Sequence, residues 1–174
     1  MSWLVMGQLH AAGRVFEAML QTNPDDVYAL ASRAQLAAQR GDTVAALKDM
    51  KRLCELDSDS AHAWYNYGYL LNECGDVDQA ENMFRKALDL SPKLDLAWYG
   101  LSLVHIRQKR FDDAATALKK NTQLQPMSPY GWYQLARVHV DRQQPDEARK
   151  VIAHLRGFEP KVADQLVRET GLVA

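Results

Sequence analysis

Residues 61–94 read AHAWYNYGYLLNECGDVDQAENMFRKALDLSPKL, and the landmarks inside this stretch recur through the rest of the chain. Its Ala80 belongs to a series Ala12, Ala46, Ala80, Ala114 and Ala148, each 34 residues after the last. Its Pro92 belongs to Pro24, Ser58, Pro92, Pro126 and Pro160, the same step with one serine in place of proline. Its Trp64-Tyr65 returns as Trp98-Tyr99 and Trp132-Tyr133, which uses three of the four tryptophans. Three residue types sharing one period describe a chain built from copies of a single unit, each too small to bury its apolar face alone.

The unit has a mechanical reading. Small residues at Gly68, Ser102 and Ala136, and the alanine series further on, let two antiparallel helices approach to about 8–10 Å. Proline after the second helix cannot donate a backbone bond and disfavours helix in the residue before it, so it parts one copy from the next. Gly41-Asp42 and Gly75-Asp76 set a helix-ending signal beside a helix-starting one. Lys109 and Gln143 stand where later copies lack that glycine, and Pro145 with Asp146 and Glu147 supplies another N-terminal signal.

With these positions in place, Trp64, Tyr67, Gly68, Leu71, Ala80, Phe84 and Pro92 resemble the tetratricopeptide pattern in order. Trp98, Leu101, Ser102, His105, Ala114, Leu118 and Pro126 follow it in the next copy, and Trp132, Leu135, Ala136, His139, Ala148, Ile152 and Pro160 in the one after. The looser copy 27–60 has Leu30, Arg33, Ala34, Ala37, Ala46, Met50 and Ser58. The resemblance implies an all-α, right-handed superhelical solenoid of antiparallel helix pairs.

One continuous domain is expected, with repeats at 27–60, 61–94, 95–128 and 129–162. Helices are predicted near 26–40, 43–56, 60–74, 77–90, 94–108, 111–124, 128–142 and 145–158. A polar-faced capping helix follows near 162–170, within residues 163–174. Residues 1–26 read as an incomplete first repeat, mainly its second helix, with Gly7-Gln8 as the turn. Either the chain is a piece of a longer protein, or the uncovered apolar side, with Trp3, Leu4 and Phe16 as candidates, is covered by a second copy in a homo-oligomer. The C-terminus reads as finished.

Composition narrows the function. Lys and Arg number 21 against 22 Asp and Glu, which leaves no basic footprint for nucleic acid. No apolar run reaches the roughly 20 residues of a membrane span, so membrane insertion is not expected, and no secretory signal is recognisable, so the chain reads as cytoplasmic. Cys54 and Cys74 make no disulfide framework and read as buried thiols. His105 and His139 share a repeat position, yet equivalent atoms of adjacent repeats lie about 8–10 Å apart, too far to share a zinc ion bound at about 2 Å. His10, His62 and His154 have no second ligand at helical spacing. Carboxylate pairs such as Asp112-Asp113 fall at helix starts, where the dipole favours them. With no phosphate loop and no nucleophile motif, no catalytic residue, cofactor or metal is assigned, and an enzyme is not expected.

A partner protein or peptide is the remaining expectation. The resemblance implies that the first helix of each pair lines a concave groove. Its second, fifth, ninth and twelfth positions read Tyr28, Ala31, Gln35, Ala38; His62, Tyr65, Tyr69, Asn72; Leu96, Tyr99, Leu103, Ile106; and Tyr130, Tyr133, Arg137, Val140. Only Arg137 is charged, and six of the seven tyrosines are here. Tyrosine buries area at low entropic cost and keeps a hydroxyl for hydrogen bonding. Family members that hold acidic C-terminal peptides use a clamp of lysine, arginine and asparagine, whereas those positions here carry Tyr65, Asn66, Tyr69, Leu96 and Gly100. The expected ligand has apolar or aromatic anchors, hydrogen bonds from Gln35, Asn66, Asn72 and Gln134, and one acidic group near Arg137. Tyr65, Tyr99 and Tyr133 also read as packing between neighbouring first helices, and that alternative stands beside the binding one.

Overall fold

The structure, a computed structural model, describes residues 3–173, with side chains from residue 11 onward. Met1, the side chains of Trp3 and Leu4, and His10 therefore lie outside the described residues. Among the described residues there are ten helices and no strand. They are α1 (Trp3–Thr22), α2 (Val27–Gln39), α3 (Thr43–Leu56), α4 (Ala61–Glu73), α5 (Val77–Leu90), α6 (Asp95–Arg107), α7 (Phe111–Leu124), α8 (Pro129–Asp141), α9 (Pro145–Arg156) and α10 (Pro160–Thr170). The chain divides into two compact units, Met1–Leu90 and Ser91–Ala174.

Local chemistry places the helix ends. Asp26 and Asp42 accept bonds from the backbone N–H of Ala29 at 2.8 Å and Ala45 at 3.1 Å, and Asp76 accepts from Gln79 at 3.2 Å. Gly41 and Gly75 turn with φ of 78° and 85°, and Lys109 and Gln143 hold the same left-handed turn at 59° and 57°. A side chain in that region costs about 1–2 kcal/mol, so the later turns store strain that the glycines avoid.

Two expected boundaries move. Pro160, read as a stop, is the first residue of α10, where its missing N–H has no helical partner to lose. The turn at Gly7-Gln8 does not form, since α1 runs unbroken through it. A lone glycine costs a helix only about 1 kcal/mol, and Gln8 is not the capping aspartate that follows Gly41 and Gly75.

The tryptophan and proline series prove to be one device. Nε1–H of Trp64, Trp98 and Trp132 donates to the carbonyl of Ser58, Pro92 and Pro126 at 2.8, 2.9 and 2.8 Å. The acceptor is backbone, which is why serine can replace proline at 58. The copy 27–60 has Leu30 at the tryptophan position and no such bond. Instead Arg33 forms a two-pronged pair with Asp49, at 2.7 and 2.8 Å, between α2 and α3. Asp49 is only 4% exposed, and its hydrogen bond is the chief reason the Arg33 pKa is raised. In the second unit Leu118, Leu135, Ile152, Leu155 and Leu166 form the buried centre, with Phe111, Trp132 and Phe158 around it.

Candidate protein-binding face

In the first unit, α2 and α4 present the predicted positions. Tyr28 is 67% exposed and meets Phe16 edge-on at 6.1 Å. Tyr69 is 51% exposed and lies 6.4 Å from Tyr65, which in turn rests on Phe84 at 5.9 Å. Tyr65 is thus half packing and half surface. Gln35, His62 and Asn66 are exposed. Asn72 is not: it is 3% exposed, a correction to its expected place on the face. Helical spacing sets the twelfth position about 80° off the second, a margin at which Ala38 and Val140 stay exposed and Asn72 does not.

Between α2 and α4, with α3 as floor, lies a cavity of about 460 Å³ lined by Tyr28, Ala31, Ser32, Ala34, Gln35, Ala38, Met50, Leu53, Asn66, Tyr69 and Leu70. Its lining carries no charged side chain, and its size falls in the range of ligand pockets. The face positions alone did not reveal it, because Met50 and Leu53 come from the second helix of the pair.

In the second unit, Leu96 and Tyr130 on α6 and α8 are exposed, Tyr130 by 71%. Tyr99, Leu103, Ile106, Tyr133 and Gln134 are half-buried. Burial pushes the Tyr99 hydroxyl pKa up, opposed by a hydrogen bond with the Gln134 side chain from the next first helix. The Tyr133 hydroxyl donates to Glu169 Oε2 at 2.6 Å, and Arg137 Nη1 donates to that hydroxyl at 3.3 Å. The Tyr133 bond, then one from Gln165, holds the exposed Glu169 carboxyl below the usual range. Arg137 has its pKa raised chiefly by its bond to Tyr133, with Glu169 adding to it. The one charge expected to meet a partner's acidic group therefore already faces an internal carboxylate. Sequence reading missed Glu169 because it belongs to the last helix, off the predicted face.

The chemically reactive residue types fall into different settings. The buried Cys54 thiol is pushed up to about 12. Cys74 is exposed rather than buried, because it caps the end of α4 instead of lying along it. His105 and His139 are buried core residues. Among the described residues no group of three or more His, Cys, Asp or Glu is placed to hold a metal, and no helix is long and apolar enough to cross a membrane.

The family described as the Cilia and flagella-associated protein 70 middle TPR-like domain matches residues 30–159. The chain belongs to that TPR-like family. No curated protein matches it by sequence. Among solved structures, this TPR-like chain is similar to a crystal structure of MamA, at 23% identity and TM-score 0.84 over 94% of this chain and 98% of that one. It is also similar to YrrB, a TPR protein with an unusual peptide-binding site, at 21% identity and TM-score 0.72 over 90% and 84%. Pseudomonas aeruginosa pilF gives 19% identity and TM-score 0.76 over 96% and 85%. At these identities the likeness establishes the tetratricopeptide fold.

Proposed function

We propose that this protein is a non-enzymatic interaction scaffold that holds a peptide or helix of a partner protein against the aromatic, low-charge face of its first helices. The carrying observation is the uncharged cavity of the first unit, walled by the exposed Tyr28 and Tyr69. Exposed tyrosines beside an apolar floor supply anchors whose hydroxyls can still bond, the composition of recognition surfaces. YrrB, similar in fold, is a TPR protein with an unusual peptide-binding site, which supports peptide binding as a use of this fold here.

Calorimetric titration with displayed peptides selected on the full chain tests the reading. Tyr28→Ala and Tyr69→Ala are expected to weaken binding about tenfold or more, as truncating an aromatic anchor does. Unchanged affinity for every selected peptide in both variants sinks it. Light scattering distinguishes the rival, a self-assembling module joined through the N-terminal region: a monomer across micromolar concentrations removes that alternative.

A further inference from the structure

The cavity between α2 and α4 lies beside a repeat position that carries no large side chain. Its fifth position is Ala31, where the three later copies carry Tyr65, Tyr99 and Tyr133. In the second unit that tyrosine's hydroxyl lies toward the helix stacked next to its own. Tyr133 donates to Glu169 on α10 at 2.6 Å, and Tyr99 lies beside the side-chain amide of Gln134 on α8, near enough to bear on its pKa. Gln134 is the sixth residue of its repeat, and the sixth residue facing Ala31 is Asn66, again a side-chain amide, exposed and lining the cavity.

The copy 27–60 thus faces the amide and lacks the phenol. We infer that this cavity is a vacated tyrosine socket, and that it takes the tyrosine side chain of a partner peptide, with the phenol hydroxyl on Asn66. This deepens the proposed peptide-binding role and rests on it. Small residues at Ala31, Ala34 and Ala38 leave the volume, and Met50 and Leu53 give an apolar floor for the ring. The absence of charge in the lining disfavours a phosphorylated or acidic side chain, whose burial there would lack a counter-ion. The amide distinguishes tyrosine from phenylalanine, because a hydroxyl has a partner to bond and a bare ring leaves that amide to water or unpaired.

The probe is p-cresol, the tyrosine side chain as a free molecule, with toluene as the control, each titrated into the full chain and followed by NMR. The expected result is saturable shifts at the Ala31 methyl and the Asn66 side-chain amide, with p-cresol preferred over toluene about threefold to tenfold, the span of one hydrogen bond. Asn66→Ala is expected to remove that preference while leaving toluene binding unchanged. Ala31→Tyr is expected to fill the socket from within, to fold at least as stably as the natural chain and to abolish both signals; if it does not fold, Asn66→Ala decides. Equal affinity for toluene, shifts elsewhere, or no effect of either variant overturns the socket. Self-association that grows with concentration and disappears in Ala31→Tyr would place a second copy's tyrosine there and overturn the partner assignment. Selected peptides that bind the natural chain and Ala31→Tyr alike would remove the socket and leave the binding role standing. The p-cresol result holds whether or not a peptide is selected.

Discussion

The copies 27–60 and 129–162 solve the same packing problem with different chemistry. In the later one, Leu135 and Val151 are buried at the seventh and twenty-third positions. The earlier one sets Arg33 and Asp49 at those positions as a two-pronged ion pair. The later copy ties Trp132 to the Pro126 carbonyl, and the earlier has Leu30 and no tie. The later fills its fifth position with Tyr133, and the earlier leaves Ala31 beside a cavity. The tetratricopeptide frame therefore fixes helix positions strictly and side-chain contacts loosely. A copy can exchange an apolar contact for an ion pair, or a filled position for an open one, provided each group it buries finds a partner.

The largest break of this comparison is at Asp49. Asp49→Ala leaves the Arg33 guanidinium half-buried without its carboxylate and is expected to cost about 2–3 kcal/mol in urea unfolding. Arg33→Leu combined with Asp49→Val copies the later repeat and should return to within about 1 kcal/mol of the natural chain, since apolar replacements of similar volume often match a buried pair. A double variant as unstable as Asp49→Ala would mean the copies are not interchangeable.

Trp132→Phe keeps most of the ring area and deletes the indole N–H, so a loss of about 1 kcal/mol is expected from the same measurement. A loss near zero would reduce the tie to a by-product of packing. At the turns the change goes the other way. Lys109→Gly and Gln143→Gly relieve left-handed strain but raise the entropy of the unfolded chain, for a net gain of about 0.5–1 kcal/mol each. Gly41→Lys should lose a similar amount.

The smallest effect is a slope. His139, like His105, sits where the first two full copies have Ala37 and Leu71, and burial lowers its pKa from 6.5, against a hydrogen bond with Gln144. The folded protein then resists protonation that the unfolded chain accepts. This contribution to stability is complete above about pH 6.5 and is lost as pH falls toward the lowered folded pKa. His139→Leu should flatten stability against pH below about 6.5 relative to the natural chain, and an unchanged slope contradicts the burial argument.

These particulars mark where sequence reading stops. The helices of the four full repeats are legible to within two residues because the 34-residue step repeats every helix signal, and caps such as Asp42 act within three residues of themselves. The Arg33–Asp49 pair joins residues 16 apart on two helices, and only their charge at positions otherwise apolar hinted at it. The link between tryptophan and proline was hidden because its acceptor is a backbone carbonyl, common to every residue type. On the candidate face, helical spacing placed Tyr28, Tyr69 and Tyr130 on the surface correctly. It misjudged Asn72, because the twelfth position lies at the margin of the face, exposed at Ala38 and Val140 and buried at 72. It could not show the cavity, which depends on what Ala31 lacks.

The indole tie also bears on how such a chain can change length. The bond joins residues six apart across a short connection, so it acts as a gauge: one residue added between 58 and 64, or between 126 and 132, pulls the donor off its acceptor. The left-handed turns at Gly41 and Gly75 are closed by backbone alone, Asp42 N–H donating to the Ala37 carbonyl and Asp76 N–H to that of Leu71, each at 2.9 Å. Length is then gauged at both connections of a repeat, by an indole between pairs and by backbone within a pair, and a 34-residue period would persist long after most of its residues had been replaced.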